Sequence, residues 1–403
     1  MKAVMYGGGN IGRGFIGALF SQAGYEVTFV DVADPVVDEL NRRNSYPIRV
    51  INSDGYEDIT VTNVRAVNGK DIDATAKAIA DADIMATAVG VNILKFIIPN
   101  LVAGLRCRMA NGDAPFNIII CENLMDANKV LEGMLMEQLT EEEQNWFKRN
   151  VGLVEASIGR MVPIQTEEMK DGDPLRVCVE RYGFLPVDKD AIKGEIPNIA
   201  SLVPASPFSF YLKRKLYIHN MGHATCAYLG GLLSLEYIYE AIDHDEIYII
   251  VKNAMEESAR ALSRKYGVSL DEILKHIGDL LYRFTNAALK DTCQRVGGDP
   301  RRKLSPSDRL IGAGNLAAQM GVLPANIAIG TAAGLCRYIA ENEMTQNVDS
   351  AKEVLKQVSE LDENSEFYKI ILDMYSRIIR GDSIKTLRHA ADLLIAKREN
   401  SVI

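Results

Sequence analysis

The sequence lacks the features that mark several protein classes. Its cysteines are scattered and form no Cys-x-x-Cys pair, which is typical of buried free thiols in a reducing compartment. No run of about 18 apolar residues occurs, so no transmembrane helix is expected. The apolar start of the chain meets a glycine loop at Gly7 and is too short for a signal peptide. These absences predict a cytoplasmic protein without a membrane anchor. The cysteines are Cys107, Cys121, Cys178, Cys226, Cys293 and Cys336.

An excess of positive charge is also missing. The chain carries 45 Lys and Arg against 54 Asp and Glu, a formal net charge of -9. This balance argues against nucleic acid as a main partner. It does not exclude a phosphorylated small molecule, because a local basic pocket can form in an acidic protein. The 403 residues, 47% of them hydrophobic, are enough for two or three globular domains.

The first half of the chain alternates short apolar runs with helix-like segments. Such alternation predicts βαβ units and a doubly wound parallel sheet with helices, an α/β fold. Further β-like runs at residues 151–157 and 175–180 are expected to extend the same sheet. The strands are predicted at 2–6, 26–30, 84–89 and 117–120, and the helices at 10–22 and 71–80.

The second half of the chain has a different sequence pattern. Helical periodicity dominates from about residue 199, with helices predicted at 251–266, 270–281 and 350–361. The proline-rich segment 197–207 is expected to carry the domain crossing. We therefore predict a Rossmann-type domain with extra strands over 1–198 and a mostly α-helical substrate and catalytic domain over 199–403.

A glycine motif follows the first predicted strand. Gly7, Gly9 and Gly12 form G-x-G-x-x-G, in which the glycines permit a tight turn, backbone approach to a pyrophosphate and close helix packing. Asp31 ends the second strand, where a carboxylate accepts hydrogen bonds from ribose hydroxyls and repels a 2′-phosphate, which favours NAD over NADP. The alternative is a glycine turn with a solvated aspartate. The residues expected at the cofactor are Gly7, Gly9, Asn10, Ile11, Gly12, Asp31 and Val89, with Arg13 either at the pyrophosphate or on the surface.

A second motif opens the helical half. Lys215, Asn220 and His223 form K-x4-N-x2-H. At α-helical pitch Asn220 lies about 60° and Lys215 about 80° from His223 around the axis, so all three are expected to face one cleft. His219 and His223 have the i, i+4 spacing of zinc ligands. However, H-E-x-x-H requires a glutamate where this chain has Asn220, and no metal site is predicted.

Together these motifs resemble those of the polyol-specific long-chain dehydrogenases. The similarity extends over most of the chain. It implies an NAD-linked oxidoreductase acting on a polyol or polyol phosphate, first of all the interconversion of D-mannitol 1-phosphate and D-fructose 6-phosphate. The stretches that carry it are 9–17 (GNIGRGFIG), 87–90 (TAVG), 121–123 (CEN), 255–258 (MEES), 302–305 (RKLS) and 308–310 (DRL).

The resemblance also implies residue roles. Lys215 corresponds to a lysine general base, Asn123 and Asn220 to asparagines that hydrogen-bond the reacting oxygen, and His223 to a histidine that helps hold the substrate. Chemistry agrees, because a lysine can act as a base only if desolvation lowers its pKa from about 10.4. Amide donors stabilise the developing alkoxide, so no metal is required.

Other charged residues are assigned less directly. The basic residues Arg302, Lys303 and Arg309, beside Arg301, are expected to bind a substrate phosphate, with a solvated loop as the alternative. Glu256 and Glu257 are predicted to lie on a helix surface. Where members of the resembled family usually carry an aspartate before Arg-x-x-Pro, this chain has Gly159 before Arg160, which removes a carboxylate from the expected site.

Three alternative functions stay open. The same chemistry could act on an unphosphorylated polyol or a hexuronate-derived sugar acid. An NAD-dependent glycosidase also begins with a glycine loop, but usually needs a metal held by Cys and His. A redox sensor or other non-catalytic protein would bind NADH without turnover. The partner is expected to be a small sugar molecule, with the chain a monomer or small homo-oligomer.

Overall fold

The computed structural model of the chain describes residues 1–400. Contacts divide the chain into a first compact unit, Met1–Tyr211, and a second that begins at Leu212. The first unit holds the strands β1 (Lys2–Tyr6), β2 (Glu26–Asp31), β3 (Ser45–Asn52), β4 (Gly55–Thr62), β5 (Val64–Asn68), β6 (Ile84–Thr87), β7 (Phe116–Ile120), β8 (Val151–Glu155), β9 (Val177–Val179), β10 (Leu185–Asp188) and β11 (Leu202–Ala205).

Six of these strands form one parallel sheet. Their order is β5-β2-β1-β6-β7-β8, and every neighbouring pair is parallel. This is the doubly wound order, in which the chain reverses direction across the sheet between β1 and β6. The strands β6, β7 and β8 are buried along their whole length, as expected of strands covered on both faces. The predicted Rossmann-type fold is confirmed.

Helices cover both faces of this sheet. One core cluster contains Phe15, Phe20 and Phe29, and the other contains Leu101 and Trp146. The helices of the first unit are a π-helical segment Gly12–Ile16, α1 (Gly17–Gln22), α2 (Asp34–Arg43), α3 (Ile72–Asp81), α4 (Leu94–Asn111), α5 (Ala127–Met136), α6 (Glu141–Asn150) and α7 (Glu167–Lys170); α8 (Ser209–Arg214) spans the boundary between the units.

The extra strands follow the prediction only in part. Residues 151–155 form β8 at the edge of the main sheet, as expected. The prediction that 175–180 extends the same sheet is wrong, because β9 pairs with β3 in a separate sheet of order β4-β3-β9. The β3–β4 hairpin buries alternate residues of β3, and this half-buried face gives β9 a partner outside the main sheet. A further parallel pair joins β10 and β11.

The second unit is mainly helical. Three of its helices, α9 (Met221–Leu232), α11 (Asp245–Tyr266) and α16 (Ala325–Glu341), pack against one another, and the glycines on them allow close approach. A Cβ at Gly222 would lie 2.6 Å from the sulfur of Met255, and one at Gly330 would lie 2.3 Å from Oγ1 of Thr225. The helices are a π-helical segment Lys215–Asn220, α9 (Met221–Leu232), α10 (Ile238–Asp243), α11 (Asp245–Tyr266), α12 (Leu270–Phe284), a 3-10 turn Ala287–Leu289, α13 (Cys293–Gly297), α14 (Pro300–Lys303), α15 (Ile311–Gln319), α16 (Ala325–Glu341), α17 (Val348–Gln357), α18 (Glu366–Ile379) and α19 (Ile384–Asn400).

Two further findings concern the chain as a whole. Within residues 1–400, none of the helices combines the length and apolarity needed to cross a membrane. The cysteines are free thiols as predicted, but Cys107 is exposed and Cys336 is only partly buried.

Candidate active site

The glycine loop lies at the carboxyl end of β1. Gly7 adopts a φ of 104°, a conformation that favours glycine, and a Cβ there would lie 2.4 Å from the carbonyl oxygen of Ala88 after β6. At Gly12 a Cβ would fall 1.9 Å from the carbonyl oxygen of Gly7, so the helix starts in direct contact with the turn. The space around Gly9 is open, and Gly9 and Asn10 are exposed. The loop thus has the open backbone surface that a pyrophosphate needs.

Asp31 is bound to this loop. Its Oδ2 accepts a hydrogen bond from the backbone N–H of Gly8 at 2.7 Å, and its Oδ1 accepts one from Ala33 at 2.9 Å. A carboxylate offers about four lone-pair positions, so each oxygen can also accept a ribose hydroxyl. The loop and the acidic residue at the end of β2 therefore form one preorganised surface that fits the adenosine half of NAD.

Arg13 is buried beside the glycine loop. It is 7% exposed, and its guanidinium donates to the carbonyl of Gly8. The hydroxyl of Tyr46 donates in turn to the carbonyl of Arg13 at 2.7 Å. The alternative of a surface arginine is therefore wrong, because Arg13 is buried and bound to the loop, whereas a contact of Arg13 with the pyrophosphate stays a prediction.

Glu122 connects two of the motif loops. Its carboxylate accepts hydrogen bonds from the backbone N–H groups of Val89 and Gly90, at 2.9 and 2.8 Å. The residue is buried and follows β7, immediately before the exposed Asn123. Sequence reasoning quoted Glu122 only as part of a motif and missed this role. Its side chain fixes where the loop after β6 lies relative to the loop that carries Asn123.

Gly159 has a steric explanation. A Cβ at this position would lie 3.0 Å from Cε1 of Tyr182, so the tyrosine ring takes the space that a side chain would need. Arg160 donates to the carbonyls of Gly14, at 2.8 Å, and of Tyr182. Gly159 therefore leaves room for the ring of Tyr182.

Lys215 and Asn220 are the first and last residues of the π-helical segment. This changes the expected geometry, because residues five apart lie about 140° apart at α-helical pitch but are hydrogen-bonded turn neighbours in a π-helix. The α-helical angles inferred for Lys215 are thus corrected, while Asn220 and His223 keep near-α spacing at the start of α9. Single π turns inside helices occur frequently at functional sites.

The π-helical segment is attached to the basic loop after α14. The hydroxyl of Tyr217 donates to the carbonyl of Ser307 at 3.2 Å and accepts a hydrogen bond from Nζ of Lys213 at 2.9 Å. Arg309 follows two residues later, and its charge acts on Lys215. Burial, with a smaller contribution from this charge, lowers the pKa of Lys215 to about 8. The predicted base is therefore held near working pH.

The predicted phosphate-binding residues differ in their burial and in their ion-pair partners. Nε of Arg309 donates to Asp308 at 2.8 Å, and Nε of Arg302 donates to Asp299 at 2.7 Å. Lys303 is only 4% exposed, so it is not part of a solvated loop. Burial and then the charges of Arg309 and Arg302 lower the pKa of Lys303 to about 8.

His223 is enclosed by unexpected partners. Its Nε2 lies 3.2 Å from Oδ2 of Asp291, and its ring stacks on Phe284 with centroids 4.8 Å apart. Asp291 is distant in sequence, and no motif pointed to it. His219 is buried, and burial together with the charge of Arg283 lowers its pKa well below the usual value. Among residues 1–400, no group of three or more His, Cys, Asp and Glu side chains is placed to hold a metal ion.

A doubly wound sheet and a glycine loop bound to an acidic strand end are typical of a dinucleotide-binding domain. The family model "Mannitol dehydrogenase Rossmann domain" matches residues 1–201, and "Mannitol dehydrogenase C-terminal domain" matches residues 208–379. The chain therefore belongs to the mannitol dehydrogenase family, a family of NAD-dependent oxidoreductases. The predictions of an NAD-dependent enzyme and of the family are confirmed.

Individual relatives agree with this assignment. The chain is 36% identical to a mannitol-1-phosphate 5-dehydrogenase of Thermoanaerobacter pseudethanolicus over 384 residues, which is 94% of this chain and 98% of that protein. Its fold is similar to that of Pseudomonas fluorescens mannitol 2-dehydrogenase in a ternary complex with NAD and D-mannitol, with a TM-score of 0.73 and 15% identity over 97% of this chain and 94% of the other. It is also similar to a substrate-free D-sorbitol dehydrogenase, with a TM-score of 0.79 and 16% identity over 96% and 94% of the two chains.

Proposed function

We propose that the protein interconverts D-mannitol 1-phosphate and D-fructose 6-phosphate with NAD, without a metal, and that Lys215 is the general base. The observation that carries the chemistry is the Lys215 amine, whose pKa is lowered to about 8 by burial and by the charge of Arg309. The likeness to a curated mannitol-1-phosphate 5-dehydrogenase supports the substrate. Free thiols are consistent with the predicted cytoplasmic location.

The proton is moved by Lys215. In polyol oxidation the neutral amine would take the proton of the C5 hydroxyl as the C5–H bond breaks and a ketone forms. Bound NAD supplies the hydride acceptor. In the reverse direction the ammonium returns the proton to the ketone oxygen. An ordinary lysine with a pKa near 10.4 would be almost fully protonated at neutral pH and could not serve as the base.

Amide side chains support the charge that develops on the reacting oxygen. We assign this role to Asn123 after β7 and Asn220 at the end of the π-helical segment. An asparagine N–H donor that faces such an oxygen typically contributes about 3 kcal/mol to transition-state stabilisation. His223 holds a further substrate hydroxyl. Lysine and amides together do the work of a metal ion, so a catalytic metal is not needed.

The substrate phosphate is assigned to the residues around Arg309. Lys303 and Arg309 are close enough for the charge of one to lower the pKa of the other. Two cations held together in this way are unfavourable alone and are stabilised by a dianion. Arg302, which is about half exposed, completes the set. Asp299 and Asp308 neutralise part of this charge, and the positive charge that remains favours a phosphorylated substrate over a neutral polyol.

A substrate panel tests the proposal. Initial rates of NADH oxidation are measured with fructose 6-phosphate, fructose and tagaturonate, before and after treatment with EDTA. We expect fructose 6-phosphate to react with the highest kcat/KM and EDTA to have no effect. Efficient reduction of fructose alone would contradict the phosphate assignment. Loss of activity on chelation would contradict the metal-independent mechanism and reopen the glycosidase alternative.

Substitution of the base separates an enzyme from a non-catalytic NAD-binding protein. In Lys215→Ala we expect turnover to fall by several orders of magnitude while NADH binding, followed by fluorescence, stays near normal. An unchanged rate would remove Lys215 from the mechanism. Arg301→Gln is the matched control, because it also removes one positive charge but does so at an exposed residue.

A further inference from the structure

Asp291 faces the candidate substrate-holding histidine from the turn before α13. Its Oδ2 lies 3.2 Å from Nε2 of His223, while its Oδ1 accepts a hydrogen bond from Nε of Arg295 at 2.8 Å. The side chain of Asp291 is only 9% exposed. Oδ1 thus has a hydrogen-bond partner in Arg295, while Oδ2 faces Nε2 of His223.

The backbone around Asp291 is equally constrained. The N–H of Ile238 donates to the carbonyl of Asp291 at 2.9 Å, and the N–H of Cys293 donates to the carbonyl of Glu236 at 2.8 Å. These bonds form a short antiparallel bridge between Tyr237 and Thr292. Asp291 is therefore attached to the segment before α10 and cannot follow small movements of His223.

The ring of His223 is confined on its other side. It stacks on Phe284 with an angle of 16° between the planes, which fixes the plane of the imidazole ring. Burial raises the pKa of the Asp291 carboxyl, but the close approach of His223 and the charge of Arg295 outweigh this effect, and the pKa lies below its usual value. The carboxylate is ionised at neutral pH.

A carboxylate and a neutral imidazole can pair in only one way. The carboxylate accepts hydrogen bonds and donates none, whereas neutral imidazole carries a proton on only one nitrogen. The nitrogen that faces the carboxylate therefore carries the proton, and the other keeps its lone pair. For a His223 that carries a single ring proton this is the Nε2–H tautomer, with Nδ1 as an acceptor.

We propose that Asp291 is a positioning residue, which fixes His223 as the Nε2–H tautomer so that Nδ1 accepts a hydrogen bond from a hydroxyl of the polyol. The substrate contact rests on the proposed function, whereas the tautomer is a property of the protein alone. Asp291 acts through His223, so it controls how tightly a polyol binds more than how fast the bound polyol reacts.

Imidazole 15N chemical shifts test the tautomer directly. The chain has five histidines, so 15N-histidine-labelled protein gives few signals, and His223→Gln identifies those of His223. We expect Nε2–H in the wild type and a mixture of tautomers in Asp291→Ala. Asp291→Asn keeps an oxygen acceptor and should retain the wild-type tautomer. A wild-type Nδ1–H signal, or an unchanged tautomer in Asp291→Ala, overturns the proposal whether or not the protein reduces sugars.

Kinetics give the second readout. In Asp291→Ala we expect KM for the polyol to rise about ten- to a hundredfold, the usual effect of losing a hydrogen bond that involves a charged group, with kcat changed much less. Asp291→Asn should recover most of the affinity. Arg295→Gln is the matched control, because it removes the other partner of Asp291, and its KM should stay within about twofold of the wild type. An equal rise of KM in Arg295→Gln would show that Asp291 only anchors α13. If no sugar in the panel is turned over, the proposed function fails and the tautomer result still decides the role of Asp291.

Discussion

At the scale of single residues, the reactivity of the candidate site depends on the proton of Lys215. With a pKa of about 8, this amine is mostly protonated at pH 6 and mostly neutral at pH 9. Polyol oxidation needs the neutral form, so we expect kcat/KM for oxidation to rise about tenfold per pH unit below 8 and to level off above it. Ketone reduction needs the ammonium, so its kcat/KM should fall above pH 8. Opposite pH profiles in the two directions are the measurement, and a flat oxidation profile from pH 6 to 10 would contradict this assignment.

Arg309 offers a finer test of the same residue. Its charge is the second cause of the lowered pKa of Lys215, so Arg309→Gln should raise that pKa and move both inflections to higher pH. The exposed Arg301 serves again as control, and Arg301→Gln should leave the inflections in place. Equal shifts in both variants would mean that a diffuse surface field, rather than Arg309, acts on the lysine.

At the scale of elements, we expect two glycines of the loop after β1 to have different roles, one in the stability of the fold and the other in cofactor binding. In Gly7→Ala the new Cβ would collide with the backbone of Ala88, so the loops after β1 and β6 must move apart. We therefore expect the melting temperature of the ligand-free protein to fall. Gly9→Ala meets open space, so its melting temperature should stay unchanged while NADH binds at least tenfold more weakly, because the pyrophosphate needs that space. Differential scanning fluorimetry and NADH fluorescence titration measure the two effects. Unchanged NADH affinity in Gly9→Ala would place the cofactor elsewhere.

The start of α16 depends on a buried carboxylate. Glu257, predicted at the surface, is 3% exposed and accepts hydrogen bonds from the backbone N–H groups of Asn326 and Ile327 at 2.9 and 3.0 Å, and from the Asn326 side chain at 2.8 Å. The sequence placed Glu256 and Glu257 on one exposed helix face, but adjacent residues on a helix point about 100° apart, and only Glu256 is directed at Lys252 and Arg260. The prediction for Glu257 is therefore wrong.

The burial of Glu257 makes the stability of the helical unit depend on pH. Burial raises the pKa of Glu257 to about 7 from 4.5, so the folded chain keeps a proton that the unfolded chain releases between these values. Its contribution is fully present below pH 4.5 and is lost as pH rises through 7, a loss of about 3 kcal/mol. Glu257→Gln should lack this slope, whereas Glu256→Gln should keep it. Hydrogen exchange of the α16 amides at several pH values measures this pH dependence of stability. The same slope of stability against pH in the wild type and in Glu257→Gln would contradict the role of Glu257.

The elements show how far local sequence could predict this molecule. Continuous apolar runs predicted β1, β2, β6 and β7, and periodicity predicted α11 and α12, because each signal lies within one segment. The hairpin of β3 and β4 had a local signal in Asp54-Gly55 that was not used. The pairing of β9 with β3, the π-helical turn at Lys215 and the contact of Asp291 with His223 depend on partners distant in sequence or on tertiary packing. The residue types of the site could be predicted, but not the carboxylates Glu122 and Asp291 that position them.

At the scale of the whole molecule, an acidic protein is proposed to bind a sugar phosphate. The net charge of -9 repels a dianion at long range, whereas Lys303 and Arg309 attract it at contact. Salt screens the long-range repulsion at lower concentration than the contact attraction, because the Debye length is about 10 Å at 0.1 M salt and about 3 Å at 1 M. Above 0.1 M the long-range repulsion is already screened. Any change of KM with salt above this concentration therefore reflects the attraction between the phosphate and the side chains that contact it.

We therefore expect KM for fructose 6-phosphate to rise several-fold between 0.1 and 1 M NaCl, because salt weakens the attraction between the phosphate and the cationic side chains. In Lys303→Gln the KM at 0.1 M should already be raised and its salt dependence reduced, since one contact charge is gone. Arg301→Gln should behave as the wild type, because Arg301 is exposed beside these residues without sharing their buried setting. Steady-state rates at fixed saturating NADH measure all three. A KM that falls with salt, or the same slope in Lys303→Gln and the wild type, would mean that the phosphate binds away from this cluster.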